Sequence, residues 1–156
     1  MTAEVQNVMA QLAAIETEII DPVTSGSIYA YPNVPYTISA VDMPLFVNFA
    51  KNLISNTVIG SDERGREFLE VRNYDLVLYH SPYGAGVEDE KLGDLQAYFK
   101  LVYDKFGGYP HLKALGGVMD ALIVQDSGMS IVDFANQHYF GIRFTLRVTA
   151  SIRRLF

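Results

Sequence analysis

Tyr139-Phe140-Gly141-Ile142-Arg143-Phe144-Thr145-Leu146-Arg147-Val148-Thr149-Ala150-Ser151-Ile152 alternates apolar and polar residues over almost its whole length. Ile142, Phe144, Leu146, Val148, Ala150 and Ile152 share one parity. Arg143, Thr145, Arg147, Thr149 and Ser151 share the other. Successive side chains of a strand point to opposite faces, so this pattern predicts a half-buried strand of an antiparallel sheet.

Working outward from it, Met129–Phe134 reads as a short strand, and Val118–Asp126 as another that ends in the turn Asp126-Ser127-Gly128. Glu88–Phe106 reads as an amphipathic helix with Leu92, Leu95, Phe99, Val102 and Phe106 on its apolar face. Gly107-Gly108 ends it, and Pro110 confirms the stop. Before the turn Pro82–Gly86, Phe68–His80 reads as a long strand. Leu69 and Val71 lie on one parity and Tyr74, Leu76 and Leu78 on the other. A one-residue bulge near Arg72-Asn73 is expected to keep both sets on the core. Asn56–Glu67 is polar, charged and carries two glycines, and reads as a long hairpin loop. Leu45–Ala50 is apolar on both parities and reads as a buried strand, with a short helix as the alternative.

Pro22, Pro32, Pro35 and Pro44 exclude a long helix through the tyrosine-rich stretch Thr24–Pro44, where Ser27–Tyr31 is a plausible short strand. Residues 3–20 read as a helix: Val5, Val8, Met9, Leu12, Ile15 and Ile19 line one face, with Thr2 as cap and Asp21-Pro22 as stop. Together these elements predict an α+β fold: an antiparallel or mixed sheet with two amphipathic helices packed on it. The 156 residues fit a single domain, 1–156, without repeat or linker.

Hydrophobic residues make up 49% of the chain and charged residues 19%, against roughly 25% in a typical soluble domain. A permanent oligomer, which hides surface, tolerates that deficit. The ten Tyr and nine Phe read first as core filling, with the tyrosines as contact residues between proteins the alternative. A formal charge of −6 disfavours nonspecific phosphate binding and argues against a basic nucleic-acid domain. With no cysteine, disulfides and thiolate chemistry are excluded. No apolar run approaches the ~20 residues of a membrane helix. The start MTAEVQ lacks a basic leader, so folding in a cytosol is expected.

No catalytic set emerges. His80, His111 and His138 have no metal-type neighbour at short spacing and read as surface or packing residues. There is no nucleophile elbow. Gly84-Ala85-Gly86 lacks the third glycine of a dinucleotide loop and the Gly-Lys-Ser/Thr of a P-loop. No catalytic, cofactor or metal site is expected. The charged features are Glu88-Asp89-Glu90, Asp62-Glu63-Arg64-Gly65-Arg66-Glu67, and a basic C-terminal run containing Arg143 and Arg147. Glu88, Asp89 and Glu90 complement a helix dipole, or form an acidic patch that keeps DNA from adhering to a passage. Asp62, Glu63, Arg64 and Arg66 form a mobile hairpin tip, or an arm docking on a neighbour by charge. Arg143 and Arg147 lie on a solvated strand face, or meet an acidic partner.

In order and spacing, these pieces resemble the tail terminator (tail completion) proteins of long-tailed phages and related prophages. The resemblance is carried by the N-terminal helix, Asp42-Met43-Pro44-Leu45-Phe46-Val47, the charged loop, and Arg72-Asn73-Tyr74-Asp75-Leu76-Val77-Leu78-Tyr79. It continues after the second helix with Gly117-Val118-Met119-Asp120-Ala121, Asp126-Ser127-Gly128, and Tyr139-Phe140-Gly141-Ile142 with the strand that follows. It covers nearly the whole chain. It implies a non-enzymatic virion protein of the tail or neck, assembled in the host cytoplasm. Its subunits would form a ring, usually six-fold, that caps the tail tube and joins it to the head. The implied partners are further copies, the tail tube protein and the head-tail connector. DNA would pass the lumen without sequence-specific binding, and no membrane is involved. The alternatives are another neck or connector subunit, and a small ligand-binding domain with Tyr29, Tyr31 and Tyr36 around a pocket.

Overall fold

A computed structural model describes residues 2–84 and 88–156, the side chains of 88–92 excepted. In chain order the elements are α1 (Val5–Glu16), β1 (Tyr29–Tyr31), a 3₁₀ turn (Ala40–Asp42), β2 (Leu45–Ser61) and β3 (Gly65–Pro82). They continue with α2 (Glu88–Gly107), β4 (Val118–Asp126), β5 (Ser130–Phe134) and β6 (Gln137–Leu155). The fold is α+β, with six strands in one mixed sheet and two helices.

The alternating segment builds the centre. β6 pairs antiparallel with β3 from Leu155 against Gly65 to Tyr139 against Pro82. β2 lies antiparallel on the far side of β3, and β1 adds a short parallel pairing to Leu45–Val47 alone. The other side of β6 is shared: β5 pairs Gln137–Gly141, and β4 pairs Phe144–Ala150. At Gly141 there is no room for a side chain between β6 and β3. A Cβ there would stand 2.0 Å from the Leu78 carbonyl oxygen and 2.7 Å from a Val132 methyl.

Both helices cover one face. Val8, Met9, Leu12, Ile15 and Ile19 from the α1 segment, and Leu95, Tyr98, Val102 and Phe106 from α2, pack on the sheet. They meet Tyr74, Leu76 and Leu78 and the apolar parity of β6. Tyr98 takes the fully buried place that the periodicity assigned to Phe99, which is only partly buried. The opposite face carries a smaller core at one end: Leu45, Val47, Val77, Tyr79, Val132, Phe134 and Tyr139. Tyr79 stands edge-on to Phe134 and Tyr139, and its hydroxyl donates to the Asp133 carbonyl at 2.9 Å. This second core explains why Leu45–Ala50 is apolar on both parities at its start. It is a strand buried on both sides, and the helical alternative falls away.

Three expectations change. Asn56–Glu67 is not a long loop: β2 runs to Ser61, β3 starts at Gly65, and only residues 62–64 turn. Pairing with β3 satisfies the backbone, and Ile54, Thr57, Val58 and Ile59 are β-branched, which suits a pleated strand despite polar neighbours. Next, β3 is unbroken against β6 from Gly65 to Tyr79. The irregularity near Asn73 lies instead on β2, between Ala50 and Leu53. Leu69 and Val71 therefore stay on the face opposite Tyr74 and Leu76 and are half-buried there, because regular pairing with β6 holds the pleat of β3. Finally, α1 is shorter than residues 3–20. Glu4 holds the cap position without a side-chain bond, so Thr2 is no cap, and Thr17 ends the helix. The chain then reverses around Asp21, whose carboxylate accepts from the Val23 amide at 2.9 Å and the Thr24 hydroxyl at 2.8 Å.

Candidate functional site

The residues singled out from sequence fall in two regions. Arg143 and Arg147, on the polar parity of β6, are exposed on the sheet face opposite the helices. Arg143 Nε lies 3.5 Å from Asp75 Oδ2, and Lys51 Nζ approaches the same oxygen at 3.7 Å. Thr145 donates to Asp75 at 3.3 Å, and Arg147 Nε donates to Asn73 at 3.3 Å. Lys51, Asn73, Asp75, Arg143 and Thr145 border a shallow depression of about 390 Å³. Two cations around one carboxylate, with Arg147 beside them, make this patch of the face basic.

The second region is the β2–β3 turn, which is tied down. Asp62 accepts from the amides of Arg64 (2.8 Å) and Gly65 (3.0 Å) and from Arg153 Nη2 at 2.6 Å. The Arg64 amide and then the Arg153 guanidinium hold its carboxyl below the usual range. The Phe156 amide donates to the Arg64 carbonyl at 2.8 Å, and the Arg66 guanidinium sits 5.9 Å from the centre of the Phe156 ring. The turn is thus fastened to the end of β6, not free as a tip. Glu63 and Arg64 remain exposed at its apex. Glu88, Asp89 and Glu90 are in the first turn of α2, but their side chains lie outside the described residues.

The sheet adds a feature that the sequence reading missed. β1 covers β2 only at Leu45–Val47, so among the described residues the outer edge of β2 has no strand partner from Asn48 onward. At the other side of the sheet the outer edge of β4 has no strand partner among the described residues. β2 exposes Leu53, Ile54, Val58 and Ile59, and β4 exposes Met119, Leu122 and Val124. The β-branched run Ile54–Ile59 was the available signal. It was masked by asparagines and serines that read as loop residues.

The chain matches no protein-family model and no curated protein sequence.

A groove of about 630 Å³ runs between the end of α1 and the 3₁₀ turn, bordered by Thr17, Asp21, Tyr29, Asp42 and Met43. Tyr29 borders it, with the Tyr31 ring 4.9 Å from its own, while Tyr36 is 96% exposed and stands apart. The histidines do not converge. His80 is buried, its Nε2 3.9 Å from Asp94 and its ring edge-on to Tyr98. His111 Nδ1 lies 3.3 Å from the Val118 carbonyl, and His138 Nδ1 lies 2.5 Å from Asp133. Among the described residues, no group of three or more His, Asp or Glu could hold a metal.

One buried polar pair was also overlooked. Glu16 is fully buried, and its Oε1 accepts from Asn48 Nδ2 at 2.6 Å. The same amide donates to the Tyr31 carbonyl at 3.2 Å. Burial pushes the Glu16 carboxyl well above its ordinary 4.5, and the Asn48 bond offsets only part of this. The contact clasps α1 to β2 and β1. Its signal was present, because Glu16 falls four residues after Leu12 on the apolar stripe of α1.

Proposed function

We propose that this chain is a structural subunit of a phage tail: a terminator that forms a ring with its own copies, caps the tail tube and joins it to the head. The observation that carries the reading is a sheet open at two different edges, each with exposed apolar side chains. Two unlike, mutually complementary faces on one subunit are what a heterologous, self-closing interface needs. The ordered motif resemblance, from Asp42–Val47 to Tyr139–Thr149, names the kind of ring. The basic face around Arg143 and Arg147 suits contact with an acidic partner surface such as a tube or connector subunit. The formal charge of −6 suits a passage to which DNA does not adhere. On this reading the chain works in the virion neck as an assembly component and not as a catalyst.

Native mass spectrometry with light scattering, over a concentration series, tests it. A discrete closed oligomer near six subunits supports the ring. A monomer at every concentration, also with purified tail tubes present, refutes it. Retention on immobilised tail tubes rather than on a portal complex separates a terminator from another connector subunit. A second reading, a small-ligand domain, is favoured by the groove of about 630 Å³ beside Tyr29. The same native spectra would show a retained small molecule as added mass.

A further inference from the structure

We propose that the free edge of β2 in one copy pairs antiparallel with the free edge of β4 in the next, so that the ring carries one continuous sheet. The inference rests on the ring reading and names the surface that closes it. Three independent features of the sheet lead to it.

The first is direction. β2, β3, β6 and β4 are neighbours in that order, and each pair is antiparallel. β2 and β4 therefore run oppositely, and copies placed side by side continue the alternation without being inverted. The second is level. Asn48 stands, through Leu76, beside Phe144, and Asp126 pairs with that same Phe144. Ser55 stands, through Val71, beside Thr149, and Asp120 pairs with that same Thr149. The two free edges thus occupy the same height across the sheet. Neighbours need no axial step, and repetition without a rise closes into a ring instead of climbing into a filament.

The third is charge. From Asn48 to Ser61 the only charged residue is Lys51, and from Val118 to Asp126 the only ones are Asp120 and Asp126. In the level arrangement Lys51 falls between the heights of the two acids. A β2–β2 or β4–β4 joint would set like charges together, whereas β2–β4 sets opposite ones together. Neither edge carries the proline or dense charge that normally guards a free strand. Register shifts interrupt both edges, but each keeps an unbroken stretch, Ser55–Val58 and Asp120–Ile123, as the pairing core.

The chain has no cysteine, so introduced thiols report the joint without background. Ser55 and Asp120 are exposed and on the face opposite the helices. Ser55→Cys with Asp120→Cys in one chain, mildly oxidised, is expected to give a covalent ladder ending at the native ring mass. Each single variant should give almost no crosslink. Prominent dimers from either single variant would mean like edges meet, and would overturn the proposal. A closed oligomer in native spectra without crosslinking of the double variant would also overturn it, while leaving the ring reading standing. A monomer at all concentrations, also with purified tail tubes present, would sink both. Should the thiol variants misfold by circular dichroism, charge exchange decides instead. Lys51→Glu alone should raise the half-assembly concentration about five-fold or more, and adding Asp120→Lys should bring it back within about two-fold. Failure of the second change to rescue the first would count against the joint.

Discussion

Replacing Glu16 by Gln should preserve the fold while abolishing a pH dependence of its stability. Glu16 is fully buried against Asn48, and its Oε2 and the Asn48 Oδ1 have no hydrogen-bond partner. Burial strips water from the carboxylate and raises its pKa well above 4.5, and the Asn48 bond offsets only part of this. The sign follows from linkage. Below the ordinary value both folded and unfolded chains hold the proton, and the stabilisation is complete. As pH rises, the unfolded chain ionises while the folded one retains its proton. Stability then falls by up to about 1.4 kcal/mol per pH unit until the folded-state carboxyl also titrates. Glutamine keeps the shape, the acceptor and a donor without titrating. Glu16→Gln should therefore lie within about 1 kcal/mol of the parent at acid pH, where the parent's carboxyl holds its proton in both states, and be the more stable of the two as pH rises. Its stability should lack the decline that the parent shows as pH is raised from the acid range above the ordinary carboxylate value. Glu16→Ala, which removes one of the two acceptors of the Asn48 amide, should cost about 1–3 kcal/mol. Urea unfolding followed by tyrosine fluorescence and circular dichroism, at one protein concentration across that pH range, measures all three. Subtracting the Gln variant from the parent cancels every other titrating group. A parent that grows more stable with pH relative to the Gln variant, or parallel curves, would refute the reasoning.

Phe144→Ala should destabilise the domain by about 3–5 kcal/mol by urea unfolding, because the ring is fully buried against Phe99 and Tyr103. A loss under about 1 kcal/mol would reverse the faces assigned to β6. Gly141→Ala should lower the melting temperature more than any exposed substitution, since its Cβ would collide with the Leu78 carbonyl; an unchanged melting curve would disprove so tight an approach. Arg143→Glu with Arg147→Glu should leave the circular dichroism spectrum native, both side chains being exposed, and cost only about 1 kcal/mol through the Asp75 and Asn73 contacts. In native spectra, assembly should weaken if the basic face meets a neighbour, and unchanged assembly would place the interface elsewhere.

The parts legible in advance were those whose side-chain period matches one element in one environment. β6 alternates because one face is buried, and both apolar helix stripes follow because a single surface covers them. The misreadings arose where two environments met along one element. β2 passes from burial on both faces at Leu45–Val47 to exposure beyond Ala50, so its second half resembled a loop. The two parities of β3 were reconciled by imagining a bulge, when a second core around Val77 and Tyr79 was taking the odd residues at one end. The charged turn suffered likewise: Asp62 finds Arg153, 91 residues later, and no local pattern announces that contact.

Composition and periodicity by themselves determined the α+β class, the two helices and their apolar faces, and the central strand. These follow from local geometry: the repeats of helix and strand and the backbone limits of proline and glycine. Tertiary structure alone decided the strand order, the second core, the Glu16–Asn48 clasp and the two unpaired edges at one level. Those depend on which residues distant in sequence come to stand opposite one another, and a hydrogen-bond partner across a sheet leaves no local trace in the chain that supplies it.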